Sequence, residues 1–260
     1  ELFHAQLQRQ LAPAMMMRQS DFYSHILNRR LGMHMYGHDG LPCLVYPSQN
    51  GKSGDFAGFG MVDVCRPWID RGRLRLYCVD SLDEQTWSAT DRAPRERMEL
   101  HEAWFSHITQ EFVPFIHRDS AWEGRLMTLG CSLGATHAAN TLFRRPDLFS
   151  CVIALSGAYD MRWMLAGYSD ELVYLNSPLD SIRGMPADHP WVKLLNSCNI
   201  VLCCGQGAWE EEMLRSLRLL ETACHEKGIY PWVDIWGGDV HHDWEWWRRQ
   251  LPYFLGKLLD

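Results

Sequence analysis

The feature that most restricts this chain is a rhythm. Short runs rich in β-formers alternate with longer amphipathic stretches, and no linker breaks the series. The β-rich runs read at Gly32–Tyr36, Pro42–Tyr46, Arg73–Val79, Arg125–Gly130, Cys151–Leu155, Ile200–Cys204 and Pro231–Trp236. Helical patterns read at Asp55–Arg71, Arg95–Ile116, Leu133–Arg145, Trp209–Lys227 and Trp244–Leu259. The last is the clearest, because Trp244, Trp247, Leu251, Leu255 and Leu258 fall on one stripe with Arg248, Arg249 and Lys257 off it. Gly228 and Pro146 follow two of these stretches as helix stops. Strands separated by helices predict a mostly parallel sheet with helices on both faces, an α/β architecture. The irregular stretch Ala158–Pro190, rich in Tyr, Trp, Met and Asp, interrupts the rhythm and reads as a small cap insertion at 158–190. Residues 25–260 are therefore expected to form a single domain, preceded by an N-terminal arm or extension over 1–24.

Composition narrows the class of function. Of 260 residues, 47% are hydrophobic and 12% aromatic, which supplies a core and excludes a disordered chain. A net charge of −7, without a block of Lys and Arg, argues against nucleic acid as a partner. Apolar runs such as the one at Asn199–Cys204 are strand-sized, far below the ~20 residues that span a bilayer. The nine cysteines include no C-x-x-C pair and no zinc-ribbon spacing. Several of them (Cys43, Cys78, Cys151, Cys203) sit in strand-like runs as small buried hydrophobes, so a reducing, cytoplasmic setting is expected. Leu11–Met17 is too short and polar-flanked for a leader peptide, and Met15–Met17 reads as a packed N-terminal arm or a disordered one.

The strongest local signal is Gly130-Cys131-Ser132-Leu133-Gly134, a G-x-S-x-G pattern. It follows the apolar run Leu126–Leu129 and opens a stretch rich in small residues (Ala135, Ala138, Ala139). That is the strand–turn–helix setting in which a serine is held on a strained turn with its hydroxyl above the sheet. A serine hydroxyl is a poor nucleophile near neutral pH, so it needs a base, and the base needs an acid to orient it. Two later loops can supply them. Gly205–Glu212 follows one strand and carries Glu210, Glu211 and Glu212. Gly237–Trp244 follows the last strand and carries His241 and His242. Both loops leave the same edge of a parallel sheet as Ser132, so the three groups can converge.

From about Leu31 onward the chain resembles the putative esterase family of α/β-hydrolases. That family includes esterase D-type enzymes, feruloyl esterases and the antigen 85 mycolyltransferases. The resemblance is carried by Tyr36-Gly37-His38-Asp39-Gly40-Leu41-Pro42, the Gly130–Gly134 turn and Ala154-Leu155-Ser156-Gly157-Ala158-Tyr159-Asp160. The Gly205–Glu210 loop and His242-Asp243-Trp244 followed by Trp247-Arg248 complete it. It implies an α/β-hydrolase fold, with Ser132 as nucleophile and His242 as general base, His241 being the nearest rival. Glu210 is the first choice for the acid and Glu211 the second, since the commoner pattern has an Asp nearer the strand's glycine. Glu211 and Glu212 also suit a helix N-terminus as first-turn charges. The oxyanion hole is expected to pair the Leu133 backbone N–H with one from Tyr46–Lys52, with Gln49 first and Asn50 second.

Other residues take plainer expectations. His241-His242-Asp243 lacks a second spaced pair, so no metal is expected. Cys131 precedes the serine on the turn and should point away from substrate. Among the tryptophans, Trp209 is the one expected to face substrate. The chain is thus expected to be a serine esterase that cleaves small-molecule carboxylic esters through an acyl-enzyme, with no cofactor; a homo-oligomer is compatible with the sequence. Acyl transfer to an alcohol by the same machinery, and a non-catalytic binding protein on the same fold, are the alternatives.

Overall fold

The computed structural model describes residues 16–260. Its centre is one eight-stranded sheet in the order β1-β2-β4-β3-β5-β6-β7-β8. The strands are β1 (Met17–Ser24), β2 (Arg29–Tyr36), β3 (Leu41–Tyr46), β4 (Leu74–Val79), β5 (Leu126–Cys131), β6 (Phe149–Leu155), β7 (Asn199–Cys204) and β8 (Trp232–Ile235). β1 pairs antiparallel with β2, and β2 antiparallel with β4; every later pairing is parallel. The expected α/β-hydrolase architecture is present.

Six longer helices cover the sheet: α1 (Met61–Asp70), α2 (Pro94–His107), α3 (Val113–Ser120), α4 (Leu133–Arg144), α5 (Glu211–Glu226) and α6 (Trp244–Leu259). Side chains alternate across each central strand, so one strand feeds two cores. Leu44 and Tyr46 of β3 face the core that holds Ala135, Ala138 and Leu142 of α4 with Leu217 and Leu220 of α5. Cys43 and Val45 face the opposite core, with Val62 and Cys65 of α1 and Leu251 and Phe254 of α6. All nine cysteines are free, and six of them lie in that second core. No helix among the described residues is long and apolar enough to cross a membrane.

Three expectations about the elements need correction. Met17–Ser24 is not an arm: it is the edge strand β1, fixed by a bidentate Arg18–Asp119 pair at 2.6 and 2.8 Å. Ser24 Oγ and the His25 N–H also donate to Glu111, at 2.6 and 2.8 Å. The remainder of the arm, including Met15 and most of Leu11–Met17, lies outside the described residues. The Asp55–Arg71 pattern is broken at Gly60, whose φ of +78° ends one short helix before α1 begins. Arg95–Ile116 is likewise not uniform. Pro114 cannot donate to the turn before it, and the helix widens to a π turn over Ile108–Phe112 between α2 and α3.

The 158–190 segment forms a 3₁₀ turn (Arg162–Leu165) and two short helices (Glu171–Asn176, Pro178–Gly184). Met161, Leu165 and Val173 are buried in a small core with Trp87, Met98 and Leu133, so this segment is anchored beside the turn after β5.

Candidate active site

Ser132 sits between β5 and α4 with φ +58° and ψ −127°, a backbone region costly for any residue with a side chain. Two glycines make the turn sterically feasible. A Cβ on Gly130 would collide with the Gly134 carbonyl, and one on Gly134 with the Pro47 carbonyl. The strain is held in place by the sheet, because the Ser132 N–H donates to the Leu155 carbonyl at 2.9 Å. Cys131, the residue before it, points into the core shared with α1 and α6, where burial pushes its thiol well above the ordinary range.

The loops after β7 and β8 are laced together. The Gly207 N–H donates to the Val240 carbonyl at 2.8 Å, and the His242 N–H to the Ala208 carbonyl at 2.9 Å. A side chain at Gly207 would strike Val240 and His241, so only glycine permits this approach. His241 takes part in the lacing, its Nδ1 accepting the Ala208 N–H at 2.9 Å.

This lacing brings the acid and the imidazole to the serine. The Ser132 Oγ–H donates to His242 Nε2 at 2.8 Å. His242 Nδ1–H donates to Glu210 Oε2 at 3.2 Å, since a carboxylate can only accept. Glu210 is 0% exposed. Its other oxygen, Oε1, accepts the Ser156 hydroxyl at 2.6 Å and the Gly205 N–H at 3.2 Å. Ser156 in turn accepts the Trp247 Nε1–H at 3.0 Å, and the Trp247 ring lies edge-on to His242 with centroids 4.8 Å apart. Glu211, by contrast, is exposed in the first turn of α5.

Gln49 and Leu133 line one small cavity of about 50 Å³ at Ser132, together with Thr136, Ala158, Trp163, Met164 and Met213. The Asn50 N–H is engaged elsewhere, donating to the Asp83 carboxylate at 3.2 Å. Ala158, Trp163 and Met164 bring the 158–190 segment to the wall of this cavity. Trp209 is 80% exposed on the loop that carries Glu210.

Sequence reasoning missed the support for the acid. Ser156 directly follows β6 with no local mark of a role, and its partner Trp247 lies on the apolar stripe of α6. The signal was present in β6, whose end abuts β5 and β7 on the sheet edge from which both catalytic-type loops leave.

An α/β sheet with a serine on a strained turn, bonded through an imidazole to a buried carboxylate, defines an α/β-hydrolase. Residues 77–258 match the family model described as "Putative esterase". The chain belongs to the putative esterase family, whose class of activity is carboxylic ester hydrolysis. Among solved structures, a ferulic acid esterase superposes with a TM-score of 0.75 at 17% identity, over 94% of this chain and 98% of its own. An S-formylglutathione hydrolase from Agrobacterium tumefaciens gives a TM-score of 0.71 at 16% identity, over 95% and 96%. At these identities the superpositions speak for the fold. A stretch of 145 residues, 50% of the chain, is 29% identical to a protein of Oryza sativa subsp. japonica described as "Probable glutamyl endopeptidase, chloroplastic". That match spans 15% of the relative's length.

Proposed function

We propose that this chain is a serine esterase in which Ser132, His242 and Glu210 act as nucleophile, general base and orienting acid. The observation that carries the reading is the unbroken line from Ser132 Oγ through the His242 ring to Glu210, at 2.8 and 3.2 Å. Ser132 Oγ attacks the ester carbonyl carbon as His242 Nε2 takes its proton. The carbonyl oxygen becomes an oxyanion, which the backbone N–H groups of Leu133 and Gln49 stabilise. Collapse breaks the C–O bond to the alcohol, and the imidazolium returns the proton to that leaving oxygen. Water deprotonated by His242 then attacks the acyl-enzyme, and the acid departs as Ser132 regains its proton. Glu210 keeps the Nδ1–H tautomer and stabilises the imidazolium, without itself taking the proton. Small-molecule carboxylic esters are the substrates this chemistry accepts, and no step calls for a cofactor.

The test is turnover of p-nitrophenyl acetate by purified variants. Ser132→Ala is expected to lose at least about 10⁴-fold in kcat, whereas Cys131→Ala retains most of it. Wild-type rates in Ser132→Ala would overturn the reading.

A further inference from the structure

A second acid–imidazole pair lies buried beneath the Gln49–Asn50 turn, and the reaction above leaves it without a task. Asp83 is 2% exposed and His137 3%. His137 Nε2–H donates to Asp83 Oδ1 at 2.9 Å, and the Asn50 N–H donates to Asp83 Oδ2 at 3.2 Å. The Ser88 N–H holds the Asp83 carbonyl at 2.9 Å. The Ser88 hydroxyl accepts from Gln49 Nε2 and donates to Asn50 Oδ1, both at 2.8 Å. Asn50 itself sits at φ +61°, in the left-handed region that asparagine enters more readily than most residues. On the other side His137 stacks on His101 with ring centroids 5.4 Å apart, and Trp87 Nε1–H donates to His101 Nδ1 at 3.2 Å. Burial drives the His101 imidazole well below its ordinary range, so it packs as a neutral ring.

A buried carboxylate is costly, and an apolar replacement of similar volume is often no less stable. Stability alone therefore explains this pair poorly, and its position suggests another role. Asp83 grips the peptide that follows Gln49. His137 is on α4, the helix whose first residue is Leu133. The pair therefore bridges the two chain segments that carry the proposed oxyanion donors.

We infer that Asp83 and His137 are positioning residues that fix the separation of the Gln49 and Leu133 backbone N–H groups. The inference rests on the oxyanion hole assigned above. Neither residue touches the reacting atoms; they act through the Asn50 peptide and through α4. Their effect should fall on the oxyanion and spare the bound ester, because only donors aimed at the developing charge accelerate the chemical step.

The experiment compares wild type with Asp83→Asn and His137→Gln, after circular dichroism and thermal melting identify the variants that fold. Two quantities are read: kcat and KM for p-nitrophenyl acetate, and the inhibition constant of phenylboronic acid, which forms a tetrahedral adduct on a reactive serine. For each folded variant kcat is expected to fall about 10- to 100-fold with KM within about 3-fold of wild type. The boronic acid should weaken in proportion to the loss of kcat/KM. A folded variant with unchanged kcat, or with lower kcat and undiminished boronate affinity, overturns the inference. If Asp83→Asn does not fold, His137→Gln reads the same bridge from the α4 side. Ser132→Ala is run alongside. Full turnover in that variant overturns the serine mechanism and this inference with it, whereas its loss alongside unaltered Asp83→Asn and His137→Gln overturns the positioning pair alone.

Discussion

Glu210 gives one oxygen to the imidazole at 3.2 Å and the other to Ser156 at 2.6 Å and the Gly205 N–H at 3.2 Å, so its closest partner is Ser156 and not His242. The carboxylate is thus fixed from behind by a hydroxyl that is itself held by Trp247. Removing that hydroxyl leaves a buried acceptor and a buried indole N–H each short of a partner. Ser156→Ala is expected to destabilise the fold by about 1–3 kcal/mol in urea denaturation. Because the acid then loses one of its anchors, kcat should also drop by about 10-fold. Steady-state kinetics at a temperature where the variant is folded separates the two effects.

In the proposed mechanism the acid is the buried Glu210 and not the exposed Glu211. Glu210→Gln keeps the volume but offers an amide where the imidazole needs an acceptor, so the tautomer is no longer enforced. A loss of about 10³- to 10⁴-fold in kcat is expected. Glu211→Gln changes an exposed first-turn charge and should stay within about 2-fold, since the helix-end effect is a few tenths of a kcal/mol. Parallel kcat measurements on the two variants check this pair, and reversed ranks would reassign the acid.

The cavity at Ser132 is small, about 50 Å³, and walled by Leu133, Trp163, Met164 and Met213. An acetyl group fits that space better than a hexanoyl chain. kcat/KM for p-nitrophenyl esters should therefore decline steeply from acetate to hexanoate. Met213→Ala, which shortens one wall, is expected to flatten the series by about 10-fold at the long end, roughly the 1–3 kcal/mol a misfitted methylene costs.

The β1 edge strand depends on Asp119. Hydrogen bonds from Arg18 hold its carboxyl below the usual aspartate range, and the Tyr77 hydroxyl adds to them at 2.7 Å. A depressed folded pKa stabilises in full above the ordinary value of about 3.9. That contribution is lost as the pH falls through the lowered folded value. Arg18 is partly exposed, so solvent screening limits the pair to about 1 kcal/mol. Asp119→Asn should cost about that much at pH 7, and its deficit against wild type should narrow as the pH is lowered to about 3. Urea titrations at the two pH values measure the difference.

Much of this was readable in the residues because local and tertiary demands coincide. At the elbow, the apolar run of β5, two obligatory glycines and the small residues of α4 all signal one strand–turn–helix unit. β1 was not readable, since in Met-Arg-Gln-Ser-Asp-Phe-Tyr-Ser only Phe22 packs against the core, and the strand is otherwise placed by its ladder with β2 and by the distant Arg18–Asp119 pair. Glu210 and Glu211 look alike in sequence; what sets them apart is tertiary, since the Glu210 carboxylate alone meets Ser156, the Gly205 N–H and His242. Asp83 carried no local signal, because its partners lie 33 and 54 residues away.

The reactivity of one hydroxyl, that of Ser132, carries the proposed mechanism most directly. Treating the protein with an equimolar fluorophosphonate and mapping the adduct by peptide mass spectrometry measures it. One label per chain on the peptide that contains Ser132, with ester hydrolysis lost in step with labelling, is the predicted result. An unlabelled Ser132 in protein that hydrolyses esters, or full activity after its complete labelling, would contradict it.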